Sequence, residues 1–383
     1  MEKILQWSIA NQSNDPEERS KAPELKPEDL NKLFGNQKDD AVLMAENMSV
    51  IVSQSTQITI EDKLTAFDNF EMLIENLDNA NNLKNMGLWE PLLGVLINDS
   101  HEQELVACAA SVVGSSVQNN RPCQDDFLQF VKGTVYNDGK GQSGVNYFEK
   151  LIDLAFAIDD GASVSVQKKA LFAVSNLLRY HYPMYVEFKR LDGWEKLNVL
   201  LKKFDGLNNN LKLRSVSLLL SLLTIDPDYS DGFAKEPPKK PLLLGGAPST
   251  SAPGSTSASA SGSADNDNSG SVSGGAISYP MKHDKAVETQ EKLTKFKELR
   301  IPTLLLTESL KGPPEGEINQ FLIDPVLNSL NSLVSLGYGK LFNTEELSKL
   351  KLLVGKLELD EDVDKEFVLP LKSAVKLAGL IHR

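Results

Sequence analysis

The side chains that could do chemistry in this 383-residue chain are few and scattered. The nearest approach to a phosphate-binding loop is Gly133-Thr-Val-Tyr-Asn-Asp-Gly139-Lys140-Gly141. Such a loop needs its glycines and its Gly-Lys-Ser/Thr end at fixed spacing, so that backbone N–H groups cradle phosphate and a hydroxyl ligates magnesium. Here the spacing is one residue too long, Gly141 stands where the hydroxyl belongs, and no strand pattern precedes it. A loop inserted between helices is the better reading. The histidines, His101, His181, His283 and His382, are dispersed, and none sits with Cys or a carboxylate at metal-ligand spacing. His181 ends a helical segment and reads equally as a partner contact or as a solvated helix end. The adjacent carboxylates Asp125-Asp126, Asp159-Asp160 and Glu345-Glu346 diverge around a helix rather than converge on one bond. Asp360 to Asp364 is an acidic helix start, which the macrodipole favours. Surface solvation accounts for all of these. The residues describe a binding protein rather than an enzyme, with no cofactor and no metal.

Composition narrows the partners. A formal charge of −13 argues against a surface for nucleic-acid phosphates. No stretch approaches the ~20 apolar residues that span a bilayer, so no membrane is expected. The start, Met1-Glu-Lys-Ile-Leu-Gln-Trp-Ser-Ile-Ala, is too short and polar for a signal-peptide core. The sequons at Asn11, Asn47 and Asn98 should therefore stay unglycosylated. The two cysteines, Cys108 and Cys123, fit a reducing compartment, Cys108 as a small core residue. A cytoplasmic, monomeric protein is expected.

The elements that carry these residues are helical. Residues 1–35 form a short unit, with an amphipathic turn or two over Glu2 to Ala10 and a second segment from Pro27 to Phe34. A helix is expected from about Ala41 to Val52, and from Lys63 onward apolar residues recur at three and four without β-type alternation. The run Leu83-Lys-Asn-Met-Gly-Leu-Trp89-Glu-Pro-Leu returns as Phe188-Lys-Arg-Leu-Asp-Gly-Trp194-Glu-Lys-Leu, and more weakly as Phe296-Lys-Glu-Leu299. The two Trp copies are 105 residues apart, which two armadillo-like repeats of about 42 residues fill with room for the Gly133–Asn146 loop. Between the copies a helix rich in small residues recurs, over 66–79, 109–120, 170–181 and 211–223. Ala, Ser and Gly there let neighbouring helices approach closely, and the stacked helices line the concave face of a solenoid.

From about 226 to 288 the chain turns into a Pro-, Gly- and Ser-rich tract with no aromatic residue between Phe233 and Tyr279. It cannot bury enough apolar area to offset its ordering entropy, so a disordered insertion inside the solenoid is expected, with Pro238-Lys-Lys-Pro241 as a linker. Helices continue over 317–336, 344–357 and 362–380. The fold class is all-α, with an armadillo-like repeat domain over 63–383.

Met1 to Asn11, the Leu33-Phe-Gly35 signal and the run Ala66-Phe-Asp-Asn-Phe-Glu-Met-Leu-Ile-Glu-Asn-Leu-Asp-Asn-Ala-Asn-Asn82 resemble the fungal Fes-type exchange factors, relatives of the mammalian heat-shock-seventy-binding protein. Trp89-Glu-Pro-Leu-Leu and Val117-Gln-Asn-Asn120 match as well. The resemblance covers nearly the whole chain apart from the inserts. It implies a co-chaperone whose concave face embraces one lobe of the ATPase domain of the 70-kilodalton heat-shock chaperone, so that ADP leaves and polypeptide is released. Ala80 and Arg214 correspond to the family's contact positions. Their neighbours on the inferred groove are Glu75, Asn79, Gln118, Asn119 and Arg179, for each of which a solvated polar face is the competing reading. The family's N-terminal segment is implicated in freeing polypeptide, which implies a partner-facing role for Leu5, Trp7, Leu33 and Phe34; docking on the first repeat competes with it. The rival class is an armadillo cargo or scaffold adaptor that binds peptides in its groove. Import-type adaptors use Trp four residues before Asn, whereas here Met72 precedes Asn76 and Phe172 precedes Asn176.

Overall fold

The structure, a computed structural model, describes residue 7 and residues 38–97, 102–133, 146–157, 162–226, 284–313, 317–360 and 363–381. Regular structure among them is helical, apart from one isolated bridge between Gly312 and Glu317. An opening pair, α1 (Asp40–Ile51) and α2 (Ile60–Ile74), leads into three-helix units. The first is α3 (Leu77–Asn82), α4 (Trp89–Ile97) and α5 (Gln103–Val117), and the second is α6 (Arg121–Gly133), α7 (Tyr147–Phe156) and α8 (Val164–Leu178). The third is α9 (Tyr182–Arg190), α10 (Gly193–Lys202) and α11 (Asn209–Leu223), and the fourth is α12 (Lys285–Glu298), α13 (Ile301–Ser309) and α14 (Ile323–Ser335). The pair α15 (Thr344–Leu359) and α16 (Lys365–Ile381) closes the stack.

Local chemistry sets where the long helices begin. Thr59 caps α2 in a reciprocal pair with Asp62, Ser163 caps α8, and Asn208 caps α11, each side chain accepting a backbone N–H that the helix leaves unpaired. The third helices then pack side by side: α2 on α5, α5 on α8, α8 on α11, and α11 on α14. They touch more extensively than α4, α7 and α10 touch one another. The layer α2–α5–α8–α11–α14 is therefore the inside of a curved stack, as expected of an armadillo-like solenoid.

Each unit is fastened to the next by aromatic edges. The Trp89 ring meets Phe127 of the following unit at 5.5 Å, and Trp194 meets Phe296 of its following unit at 5.8 Å, both edge-on. The repeated Trp seen in the sequence is thus the fastener between units. The second of these contacts, with the ion pairs Lys212–Glu308 and Lys285–Asp226, joins helices that flank residues 227–283.

Two boundaries differ from expectation. The helix expected over 66–79 is two helices, because Asn76 takes an extended conformation and its side chain caps α3 by accepting from the Asp78 N–H. The helix expected from Glu317 starts at Ile323, because Glu317 is held in the bridge to Gly312 and the Asn319 N–H donates to the Ser309 carbonyl. The helical segments expected within 1–35 other than at Trp7, most of the Gly133–Asn146 loop, and the tract expected over 226–288 except Asp226 and 284–288 lie outside the described residues.

Candidate docking face

The outward side of the inner layer is built from stripes at helical spacing. Glu61, Thr65, Asp68, Met72 and Glu75 form that of α2, and Glu104, Cys108, Ser111, Ser115 and Gln118 that of α5. On α8 the stripe is Ser165, Lys168, Lys169, Phe172 and Arg179, and on α11 it is Leu213, Arg214, Ser217 and Leu220. The opposite sides of these helices hold the core, Phe67 and Phe70 on α2 and Val112 and Val113 on α5, for example. Met72, 71% exposed, is the largest apolar surface on the α2 stripe.

A hydrogen-bond chain crosses the first three of these helices. Lys169 Nζ donates to Ser111 Oγ at 2.8 Å, and Ser111 Oγ donates to Glu71 Oε1 at 2.7 Å. Ser115 Oγ donates to the same Glu71 oxygen at 2.7 Å. A cation on α8 is thereby linked through a hydroxyl on α5 to an anion on α2. Close approach of α5 and α8 depends on Gly114, whose carbonyl accepts from the Asn176 side-chain amide at 3.2 Å. Next along, the Arg214 guanidinium lies 4.9 Å from the Phe172 ring centroid. Burial lowers the Arg214 pKa from its usual value.

The structure separates the residues singled out from sequence. Arg214 and Arg179 lie on the face, and Glu75, Gln118 and Asn119 are exposed at the carboxyl ends of α2 and α5. Asn119 adopts positive φ, 53°, which Asn tolerates better than most residues. Ala80 is not on the face: it is 1% exposed, its methyl sits in the core of the first unit, and its carbonyl lies 3.6 Å from Cys123 Sγ. The resemblance gave its position along the chain but not its direction, and the break at Asn76 turns it inward. Asn79 is spent structurally, donating to Asp40 Oδ2 at 2.8 Å and to the Leu73 carbonyl at 2.9 Å. Trp7 is 41% exposed, and Leu5, Leu33 and Phe34 lie outside the described residues. Glu71, Ser111, Ser115, Lys169 and Phe172 were not singled out from sequence as site residues; the periodicity 104, 108, 111, 115, 118 was the available signal.

His181 is neither a contact nor a solvated end. Its side chain is fully buried and caps α9, Nδ1 accepting the Met184 N–H at 3.0 Å. Nε2 therefore carries the proton and donates to Asp125 Oδ1, 3.0 Å away. Burial pulls the imidazole below its usual range, the nearby Arg121 adds to this, and Asp125 opposes it. Burial pushes Asp125 up, but His181 and Arg121 together hold its carboxyl below the ordinary value. A histidine whose folded pKa is depressed binds fewer protons folded than unfolded, so its contribution is intact above the unfolded value of about 6.5 and is lost as pH falls toward the folded one. The urea midpoint is accordingly expected to drop between roughly pH 7.5 and roughly pH 5.5, and to drop less in His181→Gln. Equal drops in the two proteins would contradict this assignment.

Among the described residues no group of His, Cys, Asp and Glu comes together to hold a metal, and no helix is long and apolar enough to cross a membrane.

A sequence profile for the family described as "Nucleotide exchange factor Fes1" matches residues 1–83. The chain is 42% identical over 234 residues to the Hsp70 nucleotide exchange factor FES1 of Kluyveromyces lactis, covering 61% of this chain and 74% of that protein. The namesake of Eremothecium gossypii is 40% identical over 62% of this chain and 75% of its own, and that of Saccharomyces cerevisiae 40% over 58% and 71%. A designed armadillo repeat protein superposes with TM-score 0.49 at 12% identity, over 88% of this chain and 99% of its own.

Proposed function

The chain belongs to the Fes1 family of Hsp70 nucleotide exchange factors, and on that premise we propose that its inner face grips the ATPase domain of an Hsp70 chaperone and promotes loss of ADP. The observation that carries the reading is identity of 42% across 74% of a protein so named. The geometry supports it with a guanidinium, Arg214 of α11, set on the aromatic ring of Phe172 of α8 within the inner layer and paired with no carboxylate among the described residues. No catalytic group is required. If the gripped form of the ATPase domain binds ADP less tightly, ADP must weaken the grip by the same factor, since coupling between two binding sites is reciprocal. Residues 1–35 would serve the release of polypeptide, and the setting would be the cytoplasm. The adaptor reading is weaker, because the Asn176 amide that would grip a peptide backbone is 5% exposed and already donates to the Gly114 carbonyl.

The test is acceleration of labelled-ADP release from purified Hsp70. Arg214→Ala should weaken binding by roughly tenfold to a hundredfold, the loss of a charged hydrogen-bonding anchor worth about 1.5–3 kcal/mol. Its helix content should be unchanged, since among the described residues the Arg214 side chain makes no hydrogen bond, only the contact with the Phe172 ring. Removing residues 1–35 should leave ADP release accelerated and slow the release of a labelled peptide. A wild-type protein that fails to accelerate ADP release would end this reading. Arg214→Ala is a cleaner probe than a substitution at Ala80, where loss of binding could follow from a disturbed core.

A further inference from the structure

The charged side chains of the inner face are sorted by sign along the stack. The outward stripe of α2 carries Glu61, Asp68 and Glu75, with Glu71 beside it, and α5 carries Glu104 in its first turn. Lys63, the one cation within α2, is in line with buried Phe67 and Phe70 rather than with the stripe. Helices α8 and α11 contain no carboxylate at all, and their outward stripes carry Lys168, Lys169, Arg179 and Arg214. The chain of hydrogen bonds from Lys169 through Ser111 to Glu71 straddles the boundary between the two signs.

In a protein with net charge −13, cations have abundant anions to pair with. Lys196 pairs with Glu149 and Asp153, Lys212 with Glu308, and Lys356 with Glu317, all away from this face. The four inner cations have no carboxylate partner among the described residues, and Arg179 Nε is buried without any hydrogen-bond acceptor. From α2 to α11 there are three helix spacings of about 8–10 Å each. That span exceeds the Debye length of ~8 Å at physiological salt, so a partner meets two separate patches rather than a neutral average.

We propose that this sorting fixes the orientation of the docked partner: a basic patch of the ATPase domain lies against α2 and α5, and an acidic patch against α8 and α11. The inference rests on the reading that the inner face binds the ATPase domain, and it adds which way round that domain is held. Complementary patches act mainly on the rate of encounter and on rejecting the reversed orientation.

The experiment measures association with the isolated Hsp70 ATPase domain over a range of salt, together with ADP release. The variants are Asp68→Lys with Glu75→Lys, Lys168→Glu with Arg179→Glu, and all four together. The fourfold variant keeps the net charge of the wild type while inverting the arrangement. Each pair should slow association about tenfold at low salt and flatten its salt dependence. The fourfold variant should associate no faster than either pair. Should Arg179→Glu disturb folding, Lys168→Glu alone carries the basic end, with a smaller effect in the same direction. Wild-type association by either pair, or by the fourfold variant, overturns the inference while leaving the exchange function standing. A wild-type protein that does not accelerate ADP release overturns both.

Discussion

Gly114→Val is expected to destabilise the protein by about 2–4 kcal/mol and to lower its exchange activity further than its folded fraction explains. A Cβ at this position would stand 2.4 Å from Phe172 Cδ1, 2.6 Å from Phe172 Cε1 and 3.2 Å from the Ala173 Cα. The ring of Phe172 is partly exposed and can swing away, but the backbone of α8 cannot, so the methyls of valine must push α5 and α8 apart. Overpacking of this kind costs about 1–3 kcal/mol. Stretching the bond from the Asn176 amide to the Gly114 carbonyl leaves buried polar groups unpaired at about 1–3 kcal/mol more. Removing a mid-helix glycine returns about 0.5–1 kcal/mol through backbone entropy, which does not offset the sum. The displaced Phe172 ring is also the one beneath Arg214, so the docking face is disturbed along with the core. Chemical denaturation and ADP release on the same preparation check both parts. Gly114→Ala should fall between, because its Cβ displaces the Phe172 ring but asks the Ala173 backbone to give by only a few tenths of an ångström. Wild-type stability in Gly114→Val would mean that α5 and α8 do not approach as described.

How far the sequence could be read depends on the range of the interaction. Helix caps are local, and the apolar spacing that places Phe67, Phe70 and Ile74 on one side of α2 is visible without any partner. The repeat of Trp89 at Trp194 was visible too, although its purpose, an edge-on contact with Phe127 or Phe296 of the next unit, was not. The small residues of α5 pointed to a close helix contact, which Gly114 provides. Contacts that join residues 40 or more positions apart were out of reach. The chain from Lys169 to Ser111 to Glu71 requires the register of three helices at once. His181 looked like a polar helix end because its partner Asp125 is 56 residues away in sequence. Ala80 turns inward, and Asn79 bonds to Asp40 and the Leu73 carbonyl, for a more local reason: a single cap at Asn76 breaks the helix and redirects the residues that follow. The sorting of charge on the inner face becomes legible only after the outward stripes are known, since Lys212 and Lys63 fall on the same helices but face elsewhere.

Trp194→Ala is expected to cost about 3–5 kcal/mol, the range for removing a buried aromatic side chain, and to change the character of unfolding. Trp194 is 4% exposed and meets Tyr185 at 6.3 Å, Phe188 at 5.9 Å and Phe296 at 5.8 Å, each ring edge-on. Phe296 belongs to α12, beyond residues 227–283, so the ring joins units that no short stretch of chain connects. Stability in a linear stack is close to a sum of unit and interface terms. Weakening one interface therefore divides the stack rather than loosening all of it. The ties that remain at that junction include the packing of α11 on α14, the buried Lys212–Glu308 pair, the Lys189–Glu288 pair, the more exposed Lys285–Asp226 and Lys311–Asp205 pairs and the bond from Lys292 Nζ to the Ile225 carbonyl. They do not replace the apolar area of an indole. Urea denaturation of Trp194→Ala should become biphasic, with amides of α12 to α16 exchanging with solvent sooner than those of α5 and α8. Trp194→Phe should keep one transition at a smaller loss, since it retains an aromatic edge toward Phe296. ADP release should survive at urea concentrations where α12 to α16 have opened, because the face from α2 to α11 remains assembled. A single transition in Trp194→Ala, shifted by less than about 1 kcal/mol, would remove Trp194 from its place as the fastener of this junction, since it falls well below the cost of deleting a buried aromatic ring.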